Sequence, residues 1–284
     1  MLSKLRNNYI FGPITSRRLG ISLGVNVLPN TIKICNFNCV YCECGWNSDY
    51  EKSDNLNNKF NNKFPTKEEI KTQLEETLLQ LSKECQVLDT ITFSGNGEPT
   101  LNPEFSEIID DTILLRNKYF SNVKISVLSN STMLQSQEVV AALKKIDNPI
   151  LKLDSANIET LKKINLAKNN NVINNNLINN DGIKNFSSKN TVEKIIDGMK
   201  RFGGDFILQI MFLRGENNGD IFDNTTDMEI SNLLTVMQET QPRQVMIYPI
   251  DRETPAKNLI KLDKVEMERI AEIIKNSGFN VTYV

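Results

Sequence analysis

Histidine is absent from all 284 residues, and a zinc site without it must be built almost entirely from thiolates. Two other features are missing: an amino-terminal apolar run of the signal-peptide kind, and any stretch approaching the length of a membrane span. Neither secretion nor membrane insertion is therefore expected. Charge of one sign is lacking too, with 33 Lys+Arg against 35 Asp+Glu and a net charge of -2. Such a balance gives no whole-molecule field favouring nucleic acid, although a local basic site remains open. Cysteines number five, too few, odd and clustered to form a disulfide framework, which points to a reducing cytoplasm.

What is present is a regular alternation. At 32.3 kDa the chain can bury a large core, and residues 1–284 read as one domain with a basic amino-terminal extension over 1–22. Apolar runs over 23–28, 87–93, 123–128, 150–153, 206–212 and 244–248 predict strands, and a last one is expected over 280–283. Helical patterns intervene: one opened by Thr66 and Glu69 as a capping box, one starting at Asn102 and Pro103, and others over 139–146, 158–164, 191–202, 227–239 and 263–276. Residues 47–64 read as a polar loop. The Asn-rich stretch 168–190 reads as a disordered insertion. Six βα units are fewer than the eight that close a TIM barrel, so the expected fold is α/β, a partial (β/α)6 TIM-like barrel with its chemistry at the carboxyl ends of the strands.

The chemistry-bearing residues fall at those ends. In CNFNCVYC, Cys35, Cys39 and Cys42 are spaced Cys-x3-Cys-x2-Cys, with the aromatic Tyr41 before the last. Three thiolates in one short loop can hold a [4Fe-4S] cube and leave one iron open. Cys44 lies too near to serve the cube, and Cys85 reads as a small buried apolar residue. A different class of protein stays open on these residues alone: a noncatalytic module whose zinc is held by Cys35, Cys39, Cys42 and Cys44 and which binds nucleic acid.

After the next strand comes SGNGEPT, whose glycines allow the main chain to approach a ligand. Ser129 and Asn130 follow another strand, either as hydroxyl-binding groups or as an ordinary helix cap. Lys152 and Asp154 alternate onto one face, as an ion pair or a ligand clamp, with Ser155 beside them. Gln209, Met211 and Arg214 lie along or just after the fifth strand. Asp251 and Arg252 lie at the barrel mouth, facing substrate or simply pairing with each other. Arg17 and Arg18 are either solvated or anion-binding.

The loop CNFNCVYC, with SGNGEPT downstream, resembles the radical S-adenosylmethionine (SAM) superfamily. GPITSRRLGISLGVN, CNFNCVYCECG and DRETP narrow the likeness to the group of iron-sulfur oxidoreductases that includes the tRNA wyosine-synthesis enzymes. That resemblance implies a [4Fe-4S] cluster on Cys35, Cys39 and Cys42, with SAM on the open iron. It also implies reductive cleavage of SAM to a 5'-deoxyadenosyl radical that abstracts hydrogen from substrate. Tyr41, Asn96, Gly97, Glu98, Pro99, Ser129, Asn130, Asp154 and Ser155 are the implied SAM contacts, with Asn96 standing where the motif's first glycine usually is. A low-potential donor, ferredoxin or flavodoxin, is the implied partner. The implied substrate is a tRNA or, in an activase, a glycyl-radical enzyme.

Overall fold

A computed structural model describes residues 5–47, 63–165 and 191–283. Most of the 47–64 loop and all of the 168–190 insertion lie outside the described residues. Strands β1 (Ile10–Ser16) and β2 (Gly20–Val25) form an antiparallel hairpin. β3 (Thr90–Phe93), β4 (Lys124–Ser129), β5 (Asn148–Lys152), β6 (Ile207–Met211), β9 (Gln244–Tyr248) and β11 (Val281–Tyr283) then extend the sheet in parallel. The order is β1-β2-β3-β4-β5-β6-β9-β11, an α/β half-barrel whose two edges do not pair.

The helices are α1 (Lys67–Lys83), α2 (Phe105–Tyr119), α3 (Gln137–Leu143), α4 (Ile158–Asn165), α5 (Thr191–Phe202), α6 (Asp227–Thr240) and α7 (Lys264–Asn276). Sequence alone places α1 and α7 well, because Thr66–Glu69 and Asp263–Glu266 both close reciprocal capping boxes.

Period-two alternation sorts the strand residues onto two faces. Leu23, Val25, Ile91, Phe93, Ile125, Val127, Leu151, Leu208, Ile210, Val245 and Ile247 belong to one large apolar core with the helices. The opposite, concave face is partly polar. There Ser22 donates to Thr92 (2.8 Å), Thr90 bonds Ser126 (2.8 Å), and Asn148 donates to Ser126 (3.1 Å). Farther along that face Ile150, Ile207 and Met246 pack together, and Leu19 from the hairpin turn inserts against them.

Several expectations need correcting. The amino-terminal stretch is no mere basic extension, because residues 10–16 form an edge strand. Their alternation is broken by Gly12 and Pro13, which hid the strand from periodicity. The first parallel strand sits at 20–25 rather than 23–28. The helix expected at Asn102 begins at Phe105, because Pro99–Leu101 first form a short 3-10 turn. A small second sheet was missed altogether: β7 (Arg214–Asn217), β8 (Asp220–Asp223) and β10 (Asn258–Ile260), all antiparallel. Its strands are too short and polar to show a period. Cys85 is exposed with φ 52° just past α1, not buried.

Candidate active site

The cysteine loop follows β2 and is laced to three other parts of the chain by its backbone. Ile34 forms a parallel bridge with Gly97: its N–H donates to the Asn96 carbonyl (2.9 Å), and its carbonyl accepts from the Glu98 N–H (2.9 Å). Asn38 and Val40 donate to the carbonyls of Asn165 and Ile164 at the end of α4 (2.8 and 2.9 Å), while Ala256 donates to Val40 (3.1 Å). Asn47 reaches back inside the loop, donating to the carbonyls of Cys35 and Phe37 (both 3.1 Å).

The bridge explains the glycine at 97. Its φ is +138°, and a Cβ there would sit 1.8 Å from the Ile34 carbonyl oxygen. Only a residue without a side chain permits the cysteine loop to lie against this turn.

Cys35, Cys39 and Cys42 are half-buried, and donors converge on their sulfurs. The Phe37 N–H (3.4 Å) and the Asn130 amide (3.7 Å) point at Cys35, and the Asn165 amide (3.3 Å) points at Cys39. Burial pushes the Cys35 thiol up, opposed by Lys33. Burial also raises Cys39, with the Cys42 charge adding to the rise and the Asn165 amide opposing it. Cys42 moves the other way. A hydrogen bond from the Cys44 thiol, outweighing burial, pulls it down, with help from Lys33. Cys44 itself is raised by that bond and by burial, and the Gly95 carbonyl, 3.2 Å from its Sγ, is a second acceptor for the same S–H.

Lys33 is buried, with Nζ donating to the Gly45 carbonyl (2.7 Å). Burial alone would lower its ammonium, but the sulfur charges of Cys42, Cys35, Cys39 and Cys44 outweigh it and hold the lysine protonated. Soft thiolate donors, N–H groups aimed at sulfur and a buried cation suit an anionic iron-sulfur cluster. Among the described residues no three His, Cys, Asp or Glu side chains draw close enough to grip a single metal ion.

The Glu98 carboxylate is buried and accepts from the Thr100 hydroxyl (2.5 Å) and N–H (3.2 Å), the Ser129 hydroxyl (3.0 Å) and the Asn130 N–H (2.6 Å). Burial raises its pKa despite these bonds. Ser129 and Asn130 are not a helix cap, because Ser136 caps α3. The Asn130 amide instead donates to Asn36 (2.7 Å), its oxygen accepts from Thr132 (2.7 Å), and the cysteine loop is thereby tied to the end of β4. Asn96 is wholly buried. Its side chain bonds the Arg6 N–H (2.7 Å), the Arg6 carbonyl (3.0 Å) and the Pro29 carbonyl (2.9 Å), which is a scaffold role. Pro99 is buried at the head of the 3-10 turn.

On the opposite side, Lys152 and Asp154 do share a face and pair at 3.0 Å. One Asp154 oxygen also accepts from the Met211 N–H (2.9 Å), while the other takes the Tyr41 hydroxyl and the Asn165 amide (2.8 Å). Burial, then the Asp154 charge, pushes the Tyr41 hydroxyl up, so it stays a donor. Lys152 donates to the Tyr248 hydroxyl (2.6 Å), and its Nζ lies 5.0 Å from the Tyr41 ring centroid. Burial would lower this lysine, but Asp154 and the Tyr248 hydroxyl together outweigh it and the net shift is upward.

The hydroxyl of Ser155, fully buried, donates to Glu229 (2.6 Å), so this residue joins β5 to α6. Gln209 is buried against Met246 (3.5 Å). Arg214 leaves the mouth altogether and pairs with Glu266 (2.6 Å). Asp251 and Arg252 do not pair with each other: Asp251 joins Arg17 (2.9 Å) and Lys261 (3.2 Å), and Arg252 joins Glu43 (2.5 Å).

Lys33, Asn36, Asn47, Thr132, Asn165 and Tyr248 were not singled out by sequence. Asn165 donates to Cys39, Tyr41 and Asp154, and its Oδ1 is buried with no partner among the described residues. Nothing in its neighbourhood distinguished it from a run of ordinary asparagines. Lys33, two residues ahead of Cys35, was the one legible signal.

Comparison with known proteins fits this arrangement. The chain is 28% identical over 267 residues to a protein named GTPase Obg from Brachyspira hyodysenteriae, covering 94% of this chain and 33% of that protein. It is 26% identical over 213 residues to a UPF0026 protein of Helicobacter pylori, covering 74% and 58%. The chain thus spans less than two thirds of the length of these relatives.

Its fold resembles a radical SAM methyltransferase from Sphaerobacter thermophilus (TM-score 0.57, 13% identity, 93% of this chain and 65% of that one). It also resembles Streptococcus suis SuiB bound to S-adenosylmethionine (TM-score 0.57, 14% identity, 92% and 50%). The family model for the Radical SAM superfamily matches residues 30–225, from just before the cysteine loop to just beyond β8. With well over half its length in that match and its three cysteines held where the fold gathers its strand ends, the chain belongs to the radical SAM superfamily.

Proposed function

We propose that this protein binds a [4Fe-4S] cluster through Cys35, Cys39 and Cys42 and catalyses radical chemistry initiated from SAM. When bound, the reduced cluster supplies the electron that cleaves SAM to methionine and a 5'-deoxyadenosyl radical for hydrogen abstraction. The carrying observation is the cysteine loop pinned by the Gly97 bridge. It puts three thiols beside the ends of β3, β4 and β5 in one sulfur-lined corner.

The chain's own residues then have separable tasks. Lys33, Asn130 and Asn165 compensate negative charge on sulfur. Cys44 stays a thiol donor to Cys42 rather than a fourth ligand, leaving the open iron to SAM. Glu98 fixes the relation between the 94–99 turn and the end of β4, while Gly95 and Gly97 let that turn pack against Asn26 and the cysteine loop. Tyr41, oriented by Asp154, directly precedes Cys42, and the Oδ1 of Asn165, without a partner among the described residues, is an acceptor left for SAM.

A low-potential ferredoxin or flavodoxin in a reducing cytoplasm is the electron donor in this reading. A tRNA substrate is supported by the wyosine-enzyme likeness and by Arg18 at the mouth; RNA binding that weakens steeply with salt would accord with it. Anaerobic reconstitution, reduction and addition of SAM should yield 5'-deoxyadenosine and methionine. A protein with full iron and sulfide that forms neither refutes the proposal.

A further inference from the structure

The turn between β1 and β2 carries Arg18, but not Arg17, into the half-barrel. Ser16 Oγ accepts from the N–H groups of Arg18 (3.3 Å) and Leu19 (3.2 Å), fixing a tight turn, and Leu19 packs onto Ile150, Ile207 and Met246 of the concave face. The turn therefore crosses the concave face, from the β1–β2 hairpin over to β9. Arg17, on the outside of the turn, is consumed by Asp251 at the exposed rim (2.9 Å). Arg18 is different. Half-buried, it lies 4.3 Å from the Tyr248 ring centroid and makes no ion pair among the described residues.

The same ring holds a second cation, since Lys152 Nζ is 4.8 Å from its centroid and also takes its hydroxyl. The two cations can be no farther apart than the sum of those two distances. Among the described residues the one carboxylate that pairs with either cation is Asp154, on Lys152, and its oxygens are already engaged by Lys152, Tyr41, Asn165 and the Met211 N–H. The mouth is thus left with a surplus positive charge held in a low-dielectric setting, on a planar guanidinium that a ring face orients.

We infer that Arg18, held on Tyr248 beside Lys152, forms a subsite for an oxyanion of the substrate, a carboxylate or a phosphate. A guanidinium fork takes either group through two parallel N–H···O bonds. Lys152 lies against both the Tyr248 and the Tyr41 rings (4.8 and 5.0 Å), and Tyr41 directly precedes Cys42, so a bound anion would hold substrate near the wall that carries the cysteine loop. This inference rests on the radical reading of the same mouth and names the kind of substrate that reading leaves open.

The test is calorimetric titration of the anaerobic, iron-loaded protein, saturated with SAM so that the SAM carboxylate is already housed. Inorganic pyrophosphate and succinate are the two probes, at constant ionic strength. One of them should bind saturably, and which one tells phosphate from carboxylate. Arg18→Ala should weaken that binding about tenfold or more, as expected for loss of a charge-assisted pair. Arg18→Lys should retain part of it, and Arg17→Ala should stay within about twofold, because its rim pair is exposed to solvent. Unchanged iron content and melting temperature certify each variant. Saturable binding that survives in a folded Arg18→Ala protein overturns the inference, as does the absence of binding by either probe. Formation of 5'-deoxyadenosine is followed on the same samples: cleavage of SAM without anion binding defeats this inference alone, and anion binding without cleavage defeats the radical reading alone.

Discussion

Gly97→Ala is the sharpest test of how the cysteine loop is held. The added Cβ would meet the Ile34 carbonyl oxygen at 1.8 Å, so the two segments must part by more than about 1 Å to reach van der Waals contact. Separation breaks the Ile34 N–H bond to Asn96 and the Glu98 N–H bond to Ile34, each 2.9 Å, at about 1 kcal/mol apiece. A positive φ imposed on alanine adds about 1–2 kcal/mol. The expected loss is about 3–4 kcal/mol, which in a chain of this size lowers the melting temperature by roughly 6–16 °C.

Gly203→Ala is the matched control: its φ is +87° and nothing lies within 4 Å of its Cβ position. It should suffer only the dihedral term of about 1–2 kcal/mol. Thermal and urea unfolding of both apo-proteins, with iron counted after reconstitution, checks the difference. Gly97→Ala should also load less iron, since the segment leading into Cys35 is displaced. Equal stabilities for the two variants, with full iron in both, would refute the idea that the bridge positions the loop.

Three further outcomes follow from the same geometry. Cys44→Ala should keep its iron and sulfide but shift the cluster's midpoint potential downward for want of the thiol donor, whereas Cys39→Ala should fail to hold the cluster; metal analysis and redox titration distinguish them. Asp154→Asn leaves the buried Lys152 without its partner and should cost about 3–5 kcal/mol in urea unfolding, much of it recovered by adding Lys152→Met. Burial raises Glu98 above its ordinary value of 4.5, so its favourable contribution is complete below that pH and is lost as pH rises through the raised value. Unfolding measured upward from pH 4.5 should show this downward slope in the wild type, and Glu98→Gln should lack it.

Much of the fold could be read from periodicity because the parallel strands are buried and aliphatic. Residues 191–202 and 244–248 fall where the pattern put them, and α1 and α7 are announced by their capping boxes. What failed to show was short or irregular: β1 with its Gly12 and Pro13, and the small sheet of β7, β8 and β10, whose strands are held by cross-strand pairing more than by any local pattern.

The sequence by itself determined the chemistry on offer. Three cysteines in eight residues, no histidine, and a glycine-rich turn after the next strand are facts of spacing, and spacing is local. Tertiary structure decided which groups are free to act, because hydrogen-bond partners come from distant segments. Asn96 and Ser155 have their polar atoms taken up by Arg6, Pro29 and Glu229. Asn165 and Lys33 became part of the sulfur environment, and Arg18 was carried across the open barrel onto Tyr248 while its neighbour Arg17 was neutralised at the rim. Two adjacent arginines look alike in a sequence; only the path of the turn gives one a carboxylate and the other a ring.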